Sequence, residues 1–226
     1  LITKKPLPLK TQTPIASPEA TKDLKKAIEE CELLGETSDG MKIYLYQYCG
    51  SSPIFRELGR LREIAFRAVG EGSGKRRDID KYDMDYQHLV LWDAKQLELV
   101  GAYRLACAQD IIEKHGRKGL YTDSLFSYSD DMAPYLEKGI ELGRSFVQPK
   151  YWGRKSLDYL WFGIGAFVNR YPQYRYLFGA VSVSNALPEQ AKSLLVHYYQ
   201  HYYGAKQVLA IPNNEYRHTE SQKAQC

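Results

Sequence analysis

The chain has 226 residues, of which 44% are hydrophobic, 26% charged and 13% aromatic, a composition typical of a soluble globular protein. A chain of this length buries about 70% of its unfolded surface, so its core needs no disulfide or metal. The sequence has no run of about 18 apolar residues, which argues against a transmembrane helix. The net charge of +4 is too small to indicate a nucleic-acid-binding protein.

The first part of the chain predicts an arm, a helix and a strand. Residues 1–19 contain four prolines and no periodic apolar pattern, which indicates a proline-rich linker or docking arm. Ser17 is a suitable N-cap for a helix over about 18–34, which Gly35 would end. Alternating residues over 41–49 predict a strand.

The rest of the chain predicts further helices and strands in mixed order. Apolar residues at helical spacing predict a helix over 52–69, followed by a glycine-rich and charged loop. The later patterns predict, in chain order, a hairpin over 87–108, short helices around Ile111 and over 132–138, a strand over 140–149, a helix over 154–170, a strand over 174–184, a helix over 187–204 and a strand over 207–211. This order indicates an α+β fold, in which a mixed and mostly antiparallel central sheet is flanked by helices.

Charged and aromatic residues recur at short spacings between the second predicted helix and the strand near residue 140. They are Arg62 and Phe66 in the helix, Asp80 and Asp83 in the charged loop, Arg104 in the hairpin, and Glu141 and Arg144 in the strand. In this order, the set resembles acyl-homoserine-lactone synthases and the ornithine N-acyltransferases of bacterial lipid synthesis, both of the GNAT superfamily. The resemblance covers about residues 55–185 and is closer to the ornithine branch. Signal synthases carry a Trp shortly after the Phe, where this chain has a glycine-rich segment.

The resemblance implies a GNAT-like fold with splayed strands, formed by one domain over residues 20–226. It implies an enzyme that moves a fatty acyl group from acyl carrier protein to the α-amine of an amino acid such as ornithine, as in bacterial lyso-aminolipid synthesis. Three alternatives stay open: a coenzyme A-dependent N-acetyltransferase acting on a small amine, an acyl-homoserine-lactone-type synthase, and a non-catalytic module that binds lipid or a partner. Some relatives of this type are fused behind a lysophospholipid-acyltransferase-like domain, so we expect such an upstream domain here.

Two residues of the predicted central strand are the candidate catalytic residues, Glu141 and Arg144. An ammonium cannot attack a carbonyl, so the reaction needs a base. Glu141 is suited to that role, directly or through water, if burial raises its pKa. Residues three apart on a strand face opposite sides, so we expect no simple surface ion pair between Glu141 and Arg144 unless a bulge intervenes. The resemblance to GNAT enzymes implies such a bulge, which splays two strands and admits the pantetheine arm.

The remaining members of the set are candidate substrate-binding residues. Asp80 and Asp83 either position the ammonium of the substrate or form ion pairs with Arg62 and Arg104, and we favour the ion pairs. Arg62 beside Arg104 is alternatively a bidentate clamp for the carboxylate of the substrate. Phe66 is predicted to lie in the core or in the wall of the acyl-chain site.

A basic turn before the helix over 154–170 is the candidate site for the acyl donor. It partly fits the loop that holds the coenzyme A pyrophosphate in many GNAT enzymes, although the second glycine is missing. The candidate donor-binding residues are Lys150, Gly153, Arg154, Lys155 and Ser156. No acidic residue lies between Arg144 and Lys155, which suits acyl carrier protein with its single phosphate and acidic surface, and acyl-coenzyme A is the alternative donor. An ordinary basic turn at a helix start is the structural alternative.

Several other features carry weaker predictions. Ser182 and Ser184 either bind pantetheine amides or are ordinary polar residues of a sheet. The tyrosines of the last predicted helix form a leaving-group acid, an aromatic packing cluster or a membrane-facing belt, namely Tyr198, Tyr199, Tyr202 and Tyr203. The scattered cysteines predict reduced thiols in a cytoplasmic protein, with peripheral contact at the inner face of the membrane as an option. We expect no metal site, no tightly bound cofactor and no nucleic-acid partner.

Overall fold

The computed structural model describes residues 12–184 and 187–214. The strands are β1 (Glu32–Glu36), β2 (Met41–Gln47), β3 (Gln87–Asp93), β4 (Glu98–Cys107), β5 (Phe126–Tyr128), β6 (Gly139–Val147), β7 (Tyr176–Phe178) and β8 (Ala210–Pro212). Six of them form one sheet in the order β1-β2-β3-β4-β6-β7, and β5 pairs with β8 in a small second sheet. Neighbours in the large sheet are antiparallel except β6 and β7, which are parallel.

Six α-helices surround the large sheet in the described part of the chain. They are α1 (Thr21–Glu29), α2 (Pro53–Ala68), α3 (Ala108–His115), α4 (Ala133–Glu137), α5 (Ser156–Arg170) and α6 (Glu189–Tyr203). None of the described helices combines the length and apolar character needed to cross a membrane. The predicted α+β fold, with a mostly antiparallel sheet flanked by helices, is therefore confirmed.

Alternating side chains on the strands build a separate core on each face of the sheet. On β2, Tyr44 and Tyr46 join the core formed with α1 and α2. Ile43 and Leu45 point the other way and join the core formed with α5. Because successive strand residues face opposite sides, a single seven-residue strand contributes to both helical layers.

The parallel pair at the edge of the sheet opens a gap that positions the candidate site. Helix α5 connects β6 to β7, as the sequence predicts for two strands joined by a crossover. Pairing between these strands runs only from Gly139 with Tyr176 to Glu141 with Phe178. Strand β6 continues to Val147, whereas β7 ends at Phe178, so the two chains separate beyond this point.

The predicted first helix is wrong at both ends. Helix α1 covers only Thr21–Glu29. Gly35, which was predicted to end the helix, lies in β1 and pairs with Ile43 of β2. Glu19 explains the late start, because its backbone N–H donates to Glu57 and its carboxylate accepts hydrogen bonds from Arg56, which fixes this segment along α2. The strand β1 was missed because five residues with only two large apolar side chains give no clear alternation.

The described part of the proline-rich arm is docked against the loop that follows α2. The backbone N–H of Thr13 donates to Gly74 at 2.9 Å, and that of Ala16 donates to Arg76 at 3.1 Å. Arg67 also donates to the carbonyl of Thr13 at 2.8 Å. Residues 12–19 thus pack as part of the fold rather than as a free linker, and residues 1–11 lie outside the described residues.

The last predicted strand and the strand over 174–184 are also shorter than predicted. Pairing in the latter is limited to β7, and residues 179–184 continue beyond the strand in an irregular conformation. The last strand, β8, joins β5 and not the large sheet. Strand β5 has three residues, too few for a period-two pattern to be recognised in the sequence.

Candidate active site

A bulge in β6 separates the two candidate catalytic residues. Ala102 of β4 faces Phe146, and Arg104 faces Gly143, so two residues of β6 lie opposite Tyr103 alone. Arg144 adopts a φ of +47°, a left-handed conformation that is uncommon for a residue other than glycine. The predicted bulge is present, and it turns the Arg144 side chain away from the regular alternation of the strand.

A groove lies where β6 and β7 separate. It has a volume of about 730 Å³ and is lined by both strands, the segment after β7, the end of α2 and the loop around residue 121. Phe66, Tyr121, Leu142, Arg144 and Trp161 are among its walls. A mostly apolar groove with one arginine suits a fatty acyl chain that ends in a polar reacting group.

The predicted ion pairs form a buried network beside the groove. Arg62 donates to both carboxylate oxygens of Asp83, at 3.0 and 2.6 Å, and Arg104 donates to Asp80 at 2.6 Å and to Asp83 at 3.0 Å. Arg62, Asp83 and Arg104 are all buried. Arg62 and Asp83 are closed on one another, whereas the Nε and Nη2 of Arg104 have no hydrogen-bond partner among the described residues. None of the three lines the groove, so the structure does not support direct substrate binding by them.

The same network fixes the protonation of its members. Burial raises the pKa of Asp83, but hydrogen bonds and charge from Arg62, with the charge of Arg104, more than offset it and hold that pKa well below its ordinary value. The Arg104 guanidinium lies over the rings of Tyr82, Tyr86 and Tyr121, at 5.2 to 5.6 Å from their centroids. The network therefore supports the wall of the groove, since Tyr121 belongs to that wall.

Arg144 is the guanidinium that reaches the groove. Its contacts with Asp78 and Asp80 are long, at 3.7 and 3.5 Å, and its Nε has no hydrogen-bond partner among the described residues. Its guanidinium lies over the ring of Phe66 at 5.8 Å and over that of Tyr121 at the same distance. Arg144 thus retains donors for a ligand, which distinguishes it from Arg62. Asp80 is partly exposed at the edge of the network, where it caps a short 3₁₀ turn over Lys81–Met84.

Glu141 is buried and is held by three donors. Its Oε1 accepts the backbone N–H of Thr122 at 2.6 Å, and its Oε2 accepts the backbone N–H of Tyr121 at 3.2 Å and the hydroxyl of Tyr86. Burial, and then the charge of Glu141, raise the pKa of Tyr86 far above its ordinary value, so this hydroxyl stays protonated. Glu141 does not line the groove. This geometry favours a role in holding the loop that carries Tyr121 over direct removal of a substrate proton.

The candidate donor site at the start of α5 is only partly open. Gly153 has a φ of +73°, a conformation that favours glycine, and the buried Ser156 hydroxyl has no hydrogen-bond partner among the described residues. The first turn of α5 has no side-chain cap, so its backbone N–H groups are available to an anion. Lys150 is less available to an anion, because its ammonium forms an ion pair with Glu98 at the start of β4.

Two further cations lie near this turn. Arg154 and Lys155 are exposed, and Arg154 lies over the Tyr151 ring at 5.1 Å. The cation set predicted from the sequence is therefore reduced to two free members, Arg154 and Lys155, in the described part of the chain. No local pattern indicates the Lys150 pair, since Glu98 is distant in the chain.

A glycine-rich loop after α2 contributes a groove residue that the sequence did not indicate. Helix α2 ends in a Schellman motif, in which the Glu71 N–H donates to Phe66 at 2.8 Å and the Gly70 N–H donates to Arg67 at 3.1 Å. Gly70 has the required positive φ of +78°. Glu71 lines the groove, and its Oε2 accepts a hydrogen bond from Ser182 at 3.0 Å. A glycine shortly after an apolar helix is the signal that would have placed this residue.

Other predicted features lie outside the groove. The rings of the four tyrosines on α6 are exposed and stack on one another, so the described structure gives no support to a leaving-group acid there. Cys31, Cys49 and Cys107 are free thiols, and Cys226 lies outside the described residues. The described residues contain no group of His, Cys, Asp or Glu arranged to hold a metal ion.

Comparison with known proteins agrees with this architecture. Residues 61–162, which include the second half of α2, the buried network, the bulge and the start of α5, match the acetyltransferase (GNAT) domain family. Residues 61–162 are therefore similar to a GNAT acetyltransferase domain. The predicted resemblance to GNAT N-acyltransferases is confirmed by relatives of that kind. No solved structure matches the chain significantly.

Curated relatives of this chain carry two substrate names. A glycine N(alpha)-acyltransferase of Phocaeicola vulgatus is 34% identical over 211 residues, which cover 88% of this chain and 65% of the relative. A glycine N(alpha)-acyltransferase of Bacteroides thetaiotaomicron is 32% identical, covering 85% of this chain and 61% of the relative. An L-ornithine N(alpha)-acyltransferase of Rhizobium meliloti is 31% identical over 61% of this chain and 48% of the relative. The chain thus spans less than two thirds of each of these proteins.

Proposed function

We propose that this domain transfers a fatty acyl group from a phosphopantetheine thioester to the α-amine of an amino acid. The groove between β6 and β7 carries the proposal, since it combines apolar walls for an acyl chain with the available guanidinium of Arg144. The names of the relatives, which describe acylation at Nα, support the same reaction class. The product would be a lyso-aminolipid.

Glycine is the first amine to test, and ornithine is the second. The two relatives named for glycine match 88% and 85% of this chain, against 61% for the ornithine relative from Rhizobium meliloti. Among the described residues that line the groove, Glu71 carries the one carboxylate. Ornithine has two ammonium groups and would need a second anionic partner, whereas Asp78, Asp80 and Asp83 are already paired with arginines.

Acyl carrier protein is the proposed donor, in preference to acyl-coenzyme A. The start of α5 offers Gly153, the hydroxyl of Ser156 and the cations Arg154 and Lys155, which suit one phosphate. Asp158 in the first turn of α5 disfavours the larger negative charge of a pyrophosphate. Lys150 is neutralised by Glu98 and adds little to this site.

The chemical step is a direct transfer. The α-ammonium gives a proton to solvent water, and the free amine nitrogen forms a bond with the thioester carbonyl carbon. The carbon–sulfur bond then breaks, the nitrogen loses a second proton to leave a neutral amide, and the sulfur takes up one proton, so that pantetheine leaves as a thiol and one proton is released overall. No covalent enzyme intermediate is needed, in keeping with free cysteines that lie outside the groove.

Mass spectrometry of products tests the proposal. The purified protein is incubated with palmitoyl acyl carrier protein or palmitoyl-coenzyme A, and with glycine or ornithine in turn. We expect N-palmitoylglycine, with kcat/KM at least tenfold higher for the carrier protein donor. Turnover of acetyl-coenzyme A alone, or no acylated amino acid with either donor, would contradict the proposal.

A cytoplasmic and peripheral membrane location belongs to the same proposal, because the product is a lipid. Helix α5 exposes the apolar side chains of Leu157, Trp161 and Phe162, and Trp161 also lines the groove. An acylated product would leave the groove next to this apolar surface. Failure of the protein to sediment with vesicles of phosphatidylglycerol would contradict the membrane contact and leave the acyl-transfer reaction unaffected.

A further inference from the structure

The groove carries one acidic and one basic side chain outside the buried pairs of Arg62, Asp83 and Arg104, and the basic one, Arg144, makes only long contacts with Asp78 and Asp80, at 3.7 and 3.5 Å. Glu71 is exposed and lines the groove from the end of α2. Arg144 lines it from the bulge of β6, and its Nε has no hydrogen-bond partner among the described residues. An α-amino acid carries a positive ammonium and a negative carboxylate on the same α-carbon, so it needs two such partners in one site.

We infer that Glu71 binds the α-ammonium of the amino-acid substrate, while Arg144 binds its carboxylate. This inference rests on the proposed function and names the substrate-binding residue that the sequence did not indicate. It also replaces the predicted alternative in which Asp83 holds the ammonium of the substrate, because the Asp83 carboxylate is paired with Arg62 and Arg104 within the buried network.

Hydrogen bonds of the loop after α2 hold Glu71 in position. In the Schellman motif, the backbone N–H of Glu71 donates to the carbonyl of Phe66, and the Phe66 side chain forms part of the groove wall. The next turn of the loop is fixed by the buried Glu63, which accepts hydrogen bonds from Ser73 at 3.0 and 2.6 Å and from the Gly74 N–H at 2.9 Å. A Cβ on Gly72 would lie 2.4 Å from the side chain of Arg67, so the loop is packed closely on the helix.

The ionised carboxylate of Glu63 keeps this loop fixed. Burial raises the pKa of Glu63, but hydrogen bonds from Ser73 and Arg67 and from the loop backbone outweigh it and hold that pKa below its ordinary value. Glu63 therefore remains an acceptor at neutral pH. A carboxylate on so constrained a loop is preorganised for a ligand, which lowers the entropic cost of binding.

Ser182 completes the arrangement from the opposite side of the groove. It follows β7 on the segment that diverges from β6, and its hydroxyl donates to Glu71 at 3.0 Å. This contact orients one carboxylate oxygen. The role of Ser182 is thus to position Glu71, and we expect its removal to have a smaller effect than the loss of the charge.

Steady-state kinetics of Glu71→Gln with glycine and palmitoyl acyl carrier protein tests the inference. Loss of a charge-assisted hydrogen bond should raise KM for glycine by about 10- to 100-fold, with KM for the donor unchanged. Ser182→Ala should raise KM for glycine only a few-fold. Glu137→Gln makes the same charge change at an exposed position of α4 and should leave every parameter unchanged.

Glycolate separates ammonium binding from a general effect on the groove, since it has the carboxylate of glycine but no ammonium. It should inhibit the wild-type protein and Glu71→Gln equally. Equal weakening of glycine and glycolate would show that Glu71 only shapes the groove, and an unchanged KM for glycine would also overturn the inference. Both results require an active wild-type protein, so they are distinct from failure of the proposed function, in which no amino acid is acylated.

Discussion

At the residue scale, the carboxylate of Glu141 joins strand β6 to the loop that carries Tyr121. Three donors converge on it, from Thr122, Tyr121 and Tyr86; the contacts with Thr122 and Tyr86 are buried, and the contact with Tyr121 is partly buried. A buried acceptor of this kind contributes strongly to stability, because its donors would be left without any hydrogen-bond partner, including water, if it were removed. Glu141 is therefore a positioning residue in the proposed reaction.

Substitution of Glu141 by Gln should destabilise the protein. The amide NH₂ must face at least one of the three donors, which costs about 1–3 kcal/mol for the unsatisfied group. Each kcal/mol lowers the Tm of a domain of this size by about 2–4 °C, which differential scanning calorimetry measures. Tyr86→Phe removes one donor to Glu141 and one of the two acceptors of the Tyr121 N–H, which keeps Glu141 as its other acceptor, and should cost about 1 kcal/mol. An unchanged Tm together with a lost kcat would instead support Glu141 as the general base.

The sequence was informative about which residues form the site and less so about what each one does. The resemblance implied the bulge beside Arg144, and the opposite charges of the set favoured ion pairs of Asp83 with Arg62 and Arg104; the structure has both. Burial decides whether a charged residue faces a ligand or another residue, and burial depends on contacts distant in the chain. Lys150 shows this, since its partner Glu98 belongs to another strand.

At the element scale, the end of α2 is defined by its glycine. Gly70 has a φ of +78°, and a Cβ added at this position would meet no other atom within 4 Å, so only backbone strain opposes a larger side chain there. The sequence predicted both ends of α2 well, because Ser52 caps its start and glycine ends it. It predicted α1 poorly, because long-range contacts of Glu19 override the local capping signal of Ser17.

Gly70→Ala should therefore weaken both the fold and substrate binding. A left-handed conformation costs a residue with a Cβ about 1–2 kcal/mol, which urea unfolding measures. Relief of that strain would displace Glu71, so KM for glycine should rise while KM for the donor stays constant.

Gly165→Ala is the matched control, since Gly165 lies in α5 without a positive φ and with open space around it. That change should stabilise the protein by about 0.5–1 kcal/mol. Equal stability of the two variants would contradict the role of Gly70.

At the scale of the whole molecule, one buried histidine links the stability of the sheet to pH. His88 on β3 is fully buried between the two aromatic rings of Tyr46 and Phe55 and the charged network of Asp83. Burial, opposed by the charge of Asp83, lowers the pKa of His88 to about 4. The folded protein therefore keeps this imidazole neutral over a range in which the unfolded chain protonates it.

The free energy of unfolding should fall as the solution is acidified from pH 7 to pH 5. A lowered folded-state pKa gives stability that is complete above the unfolded value, about 6.5 for His, and that is lost as the pH falls towards 4. The expected loss between pH 7 and pH 5 is about 2 kcal/mol, measured by urea unfolding at each pH. Asp83 does not contribute in this range, because its depressed pKa matters only below the ordinary Asp value of about 4.

His88→Asn removes the titrating group while keeping a polar side chain. The free energy of unfolding of this variant should therefore differ between pH 7 and pH 5 by about 2 kcal/mol less than that of the wild type. The exposed His115 beside Asp85 is retained in both proteins and cancels in this comparison. The same pH dependence in the variant and the wild type would show that His88 is not the group that couples folding to protonation.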